Sequence, residues 1–180
     1  IGGGMAIIYL SIFASYALYH LVDPMIAFLG MIMITIVGVV LSITNATITL
    51  AFVAFIGGFI TPILIGVNDL GEWITLTYIT ILNAGILGIL LYKKWTNLVL
   101  VGLIGTWAIF GGWLATSYNQ ELLIPTLLFI LVQFLIFTAS SVFRIIVEKL
   151  KANPVDYFVI TATALSFAMI CYDLLMPEYK

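Results

Sequence analysis

Phe55-Ile56-Gly57-Gly58-Phe59-Ile60-Thr61-Pro62 lies inside an uncharged apolar segment that runs from Ala46 to Gly66. A segment of that length is enough to cross a bilayer as a helix. Gly57 and Gly58 let a neighbouring backbone approach closely. Pro62 removes one backbone donor and is expected to bend the helix about one turn earlier. In hydrocarbon, the groups it frees must be satisfied by neighbouring helices, by hydroxyls such as that of Thr61, or by trapped water. The segment is therefore expected inside a bundle, with the other segments packed around it.

Composition agrees. Of the 180 residues, 64% are hydrophobic and 8% charged, against about a quarter charged in soluble domains. A soluble fold of this size has no interior large enough for that much apolar surface, so lipid is the solvent. The net charge of -2 is small and scattered, which argues against a nucleic-acid partner. Cys171 is the one cysteine, so no internal disulfide is possible. Its apolar setting reads as packing. Residue 1 is Ile, and no basic n-region or cleavage site follows. The expectation is a single bundle over residues 1–180, forming an internal fragment of a longer polytopic chain.

Seven apolar segments approach spanning length: about Gly2–Val22, Met25–Thr44, Ala46–Gly66, Trp73–Tyr92, Asn97–Ser117, Leu122–Phe143 and Asp156–Met176. The fold class is all-α, a polytopic transmembrane bundle of about seven helices. Asn45 marks a tight turn between the second and third. Lys93, Lys94, Arg144, Lys149 and Lys151 follow the fourth and sixth segments. Asp23, Asp69, Glu72 and Glu121 follow the first, third and fifth, with no Lys or Arg among them. Basic loops belong on the cytoplasmic side, so the amino end is expected in the cytoplasm. Trp73, Trp95 and Tyr118 fall at segment ends, where interfacial aromatics gather. Thr77, Thr80, Ala84 and Gly88 form a small-residue stripe on segment four, and Gly105, Ala108, Gly112 and Ala115 form another on segment five. Such stripes are expected to mark close helix contacts.

Three stretches carry a family resemblance: Ile1-Gly2-Gly3-Gly4-Met5-Ala6-Ile7-Ile8-Tyr9-Leu10, Phe13-Ala14-Ser15-Tyr16-Ala17-Leu18-Tyr19-His20-Leu21 and Gly57-Gly58-Phe59-Ile60-Thr61-Pro62. In order and spacing the chain resembles domain-of-unknown-function family 2339, large bacterial multi-pass proteins described as predicted membrane proteins. The resemblance implies a bacterial cytoplasmic membrane and a longer parent chain. Its partners would be membrane lipids and the remaining transmembrane segments of that parent. The family brings no activity, cofactor or catalytic residue to carry over.

Candidate polar positions come from the residues themselves. No charge lies near the middle of any segment, so no proton or ion relay of the usual kind is visible. Asn83 and Gln133 are the deepest strong polar side chains. They either line a polar path or hydrogen-bond across the bundle. Gln133, Phe137, Ser140 and Arg144 share one helix face, which is either a vestibule or a packed surface. His20 and Asp23, with Tyr9, Phe13 and Tyr16 on the His20 face, and Asp173 near the end of segment seven, are further cavity candidates. Interfacial placement is their plainer reading. No metal-binding set, Walker lysine, nucleophile elbow or dinucleotide fingerprint occurs. The motifs lean away from an enzyme and imply no cofactor or metal.

Three readings stay open. The first is a transport-related or structural bundle whose broken third helix lines a cavity; Thr61, Asn83 and Gln133 would converge on it, with Gly57, Gly58 and Pro62 shaping the helix. The second is a membrane enzyme acting on lipid-linked substrates through the outer acidic loops. The third is a scaffold that needs no cavity.

Overall fold

A computed structural model describes residues 2–66, 71–93, 95–146 and 154–175. Among them the regular structure is entirely helical. In chain order the elements are α1 (Gly2–Ala17), α2 (Pro24–Thr44), α3 (Ile48–Ile65), α4 (Glu72–Lys93), α5 (Asn97–Ser117), a 3₁₀ turn (Gln120–Leu122), α6 (Leu123–Ile146) and α7 (Pro154–Leu175). Six of these, α2 to α7, are long and apolar enough to cross a membrane. Asp69, Lys94, Glu148, Lys149, Lys151 and Pro177 lie outside the described residues, as do the side chains of Glu72, Glu121 and Arg144.

The first segment departs from expectation. α1 stops at Ala17 after 16 residues, about 24 Å at 1.5 Å per residue, short of a ~30 Å hydrocarbon core. Leu18, Tyr19 and Leu21 fold back as turns onto the carbonyls of Ala14 and Ser15. His20 takes a positive φ of 49°, which ends the helix well before Val22. Pro24 then starts α2 at its first position, after an extended Asp23, where a missing N–H costs nothing.

The Asn45 turn is as tight as its sequence suggests. The Asn45 backbone and side chain both donate to the Leu41 carbonyl, at 3.0 and 2.8 Å. Ala46 adopts φ 51°, so α3 runs straight back along α2. α3 continues as an uninterrupted α-helix through Pro62 to Ile65. It ends on Gly66, whose φ of 99° suits glycine.

α3 and α5 are the inner pair. α3 packs on α1, α2, α4 and α5, while α5 packs on α3, α4, α6 and α7. Their buried aromatics make the core: Phe55 and Phe59 from α3, Phe110 and Trp113 from α5. Phe110 stacks at 5.1 Å on Phe129 of α6. α1 rests on α2 and α3, and α7 on α5 and α6, so these two lie on opposite flanks. The outer faces are apolar as well, with Ile7, Met33, Ile36, Ile104 and Leu165 more than half exposed. In a bilayer those faces meet lipid.

The close approaches coincide with the stripes only in part. Ala84 and Gly88 of α4 and Ala108 and Gly112 of α5 are exposed or half-exposed, and a Cβ at Gly88 or Gly112 would meet nothing within 4 Å. Spacing identified a small face but not the direction it turns. Tight contact occurs at Gly105 of the α5 stripe and, off the stripes, at Gly38 and Gly102. A Cβ at Gly38 would lie 2.9 Å from Ala54 Cβ, one at Gly102 would lie 2.6 Å from Asn83 Oδ1, and one at Gly105 would lie 2.5 Å from the Phe59 ring. We therefore expect Gly102→Ala and Gly105→Ala each to destabilise the bundle by about 1–3 kcal/mol. Gly112→Ala should change it by less than about 0.5 kcal/mol. Unfolding midpoints in mixed micelles check the contrast, and equal losses at all three sites would refute it.

Candidate functional site: a hydroxyl cluster at the proline

An α-helical carbonyl normally accepts from the N–H four residues on. Residue 62 is proline, so the Gly58 carbonyl has no such donor. Tyr78 of α4 supplies one: its hydroxyl donates to the Gly58 oxygen at 3.0 Å. Phe28 of α2 holds the Tyr78 ring edge-to-face at 5.0 Å, and Gly58 leaves room for the approach. A Cβ there would press on Thr35 Cγ2 at 3.1 Å and Leu82 Cδ2 at 3.2 Å.

The neighbouring carbonyl attracts further hydroxyls. Thr61 donates back to Gly57 O at 3.1 Å. Tyr9 of α1 donates to that same Gly57 oxygen and also hydrogen-bonds Thr61 Oγ1. One helical heptad later on α1, Tyr16 donates to Ile65 O at 3.1 Å, satisfying one of the carbonyls that a helix end leaves open. The Tyr78 hydroxyl lies close to those of Thr35 and Thr61. Hydroxyls from four helices thus gather on the last turns of α3.

A cleft opens beside this cluster, between α1, α2 and α3. It holds about 330 Å³. Met5, Leu10, Ile34, Ile56, Ile60 and Leu64 form much of its wall, with the Tyr9 ring, Thr35 and Gly57 at its inner side.

The second polar centre is separate. Asn83 Nδ2 donates to Thr106 Oγ1 of α5 at 2.6 Å and to Gln133 Oε1 of α6 at 2.8 Å. Gln133 Nε2 donates to Thr80 Oγ1 at 3.1 Å. All four oxygen-bearing side chains sit between α4, α5 and α6, and Asn83, Gln133 and Thr106 are essentially fully buried. Asn83 Oδ1 takes no hydrogen bond; it faces the bare Cα of Gly102. Asn83 and Gln133 therefore meet, whereas Thr61 belongs to the hydroxyl cluster on α3.

The remaining candidates fall apart in space. His20 and Asp23 are exposed in the link after α1, and Asp173 is exposed in the last turn of α7 on the opposite flank. Tyr9 and Tyr16 do not continue a His20 face, because His20 has left the helix; both turn onto α3. Gln133, Phe137 and Ser140 are buried, so that part of their face is a packed surface. Sequence reading missed Tyr78, Thr35, Thr80 and Thr106 as partners. The orphaned Gly58 carbonyl was the signal for Tyr78, since a donor had to come from another helix; Tyr9, which donates to Gly57 O, had no such signal.

The family model described as predicted membrane protein (DUF2339) matches residues 1–176. The chain belongs to this family. No curated protein and no solved structure matches it. Membership accords with what the helices show: this DUF2339 chain is a multi-pass membrane protein. Among its described residues no group of three or more His, Cys, Asp or Glu side chains is placed to hold a metal ion.

The Asn83–Gln133 bond gives a direct expectation. In a double-mutant cycle of Asn83→Ala and Gln133→Ala, the coupling should be favourable and about 0.6 kcal/mol, with about 1.7 kcal/mol as the upper end for interhelical hydrogen bonds in membranes. Additive losses would mean that the two amides do not interact.

Proposed function

We propose that this DUF2339 protein is transport-related, with α3 as the helix that shapes its path. The observation that carries the reading is the meeting, at one place on α3, of Pro62, whose missing N–H leaves the Gly58 carbonyl to a hydroxyl from α4, the Gly57-Gly58 pair and a side cleft. Hydrophobic segments that carry such glycines and prolines are pointers to transporter binding sites. A cleft on the membrane flank also favours this over a scaffold, which has no need of one. The Asn83–Gln133 centre serves structure in this reading: its amides tie α4, α5 and α6 together.

The proposed setting is a bacterial cytoplasmic membrane with the links after α4 and α6 on the cytoplasmic side. Basic residues follow α4 and α6 and acidic residues follow α1, α3 and α5, and the basic side faces the cytoplasm. The other partners are lipids and further transmembrane segments of a parent chain.

Pro62→Ala restores an N–H to the helix, so folding should persist while movement on α3 changes. In a deletion strain, small-molecule and lipid distributions between cell and medium should shift. Wild-type protein should restore them, and Pro62→Ala, at equal membrane abundance, should restore them only in part. Unchanged distributions in the deletion strain would remove the transport reading.

A further inference from the structure

We infer that the cleft between α1, α2 and α3 is a lateral site for one hydrocarbon chain of a membrane lipid, with Tyr9 as its positioning residue. This names the substrate class for the cleft on which the transport reading rests.

The polar groups beside the cleft are already occupied. The Tyr9 hydroxyl is committed to Gly57 O and Thr61. The Thr35 hydroxyl donates to Met31 O at 3.0 Å. The Tyr9 ring stands over Gly57, and apart from Thr35 the remaining lining residues carry no polar side chain. A polar solute or a water chain would find no free partner on these walls, and apolar cavities stay dry. An unfilled notch is also unfavourable, because its lining loses dispersion contacts. The occupant is therefore apolar.

Size selects among apolar occupants. A volume of about 330 Å³ corresponds to a cube about 7 Å on a side, whereas a helix with side chains is about 10–12 Å across. A single extended chain fits and a helix does not. The mouth is continuous with the lipid-facing surface: Leu10, Ile56 and Ile60 are 60%, 46% and 40% exposed. Entry is sideways, from the bilayer. Gly57 makes the depth possible, since a Cβ there would meet the Tyr9 ring at 3.5 Å and any longer side chain would fill the inner end.

The test uses the purified full chain in vesicles of phosphatidylethanolamine and phosphatidylglycerol, doped with a phosphatidylcholine that carries a diazirine in mid-acyl chain. After illumination, label on Met5, Leu10, Ile34 and Ile60 should exceed that on Met33 and Ile36, exposed on α2, several-fold. Ala6→Phe and Val53→Phe, exposed positions on two walls of the cleft, should each cut the cleft label several-fold and leave Met33 unchanged. Two variants guard against a folding failure in one. Even labelling over all exposed faces, or cleft label that survives both substitutions, would overturn the inference. Cleft label in a protein whose deletion moves no solute would support this inference while ending the transport reading. A flux defect with even labelling would do the reverse.

Discussion

A single carbonyl oxygen explains much of how this membrane protein is arranged. Pro62 takes away the donor that the Gly58 carbonyl would have in an unbroken ladder, and hydrocarbon offers no water in its place. The remedy is a phenol from another helix, Tyr78 at 3.0 Å. To deliver it, α4 must sit against α3 at the glycine pair, and Phe28 must hold the ring from α2. Tyr16 likewise serves an open carbonyl at the end of α3, Tyr9 adds a donor at Gly57, and together they fasten the short helix α1 along α3.

α4 then links two polar centres of different character. Tyr78 faces α3. Asn83, five residues on, faces α5 and α6 and closes an amide network with Gln133, Thr80 and Thr106. The first centre borders a cleft, and its hydroxyls cap backbone. The second is packed so tightly that only a hydrogen on Gly102 clears Asn83 Oδ1. The division gives α4 two faces: a hydroxyl contact toward α3 and an amide network toward α5 and α6.

The helices were legible because lipid imposes their length and leaves few alternatives. The expected bounds of α2 to α7 agree with the observed ones to within about three residues. α1 was overrun because Leu18, Tyr19 and Leu21 are apolar, yet nothing in the sequence registers that His20 turns left-handed. The need for a donor at Pro62 could be read directly. Its source could not, because that depends on how α4 and α1 rotate about their axes. The same rotation decided the small-residue stripes. Gly105 turned inward onto Phe59, while Ala84 and Gly112 turned outward. Asn83 and Gln133 were found by depth alone, and their hydrophilic partners, two threonines on α4 and α5, looked like ordinary helix residues.

The most direct measurement is a thermodynamic cycle between Pro62→Ala and Tyr78→Phe, read as unfolding free energies in mixed micelles. With Pro62 present, loss of the Tyr78 hydroxyl leaves a buried carbonyl unpaired and should cost about 1–3 kcal/mol. In the Pro62→Ala background the helix supplies its own N–H, and the same substitution should cost less than about 0.5 kcal/mol. An equal cost in both backgrounds would show that Tyr78 does not answer the proline, and the gathering of these helices around α3 would then need another cause.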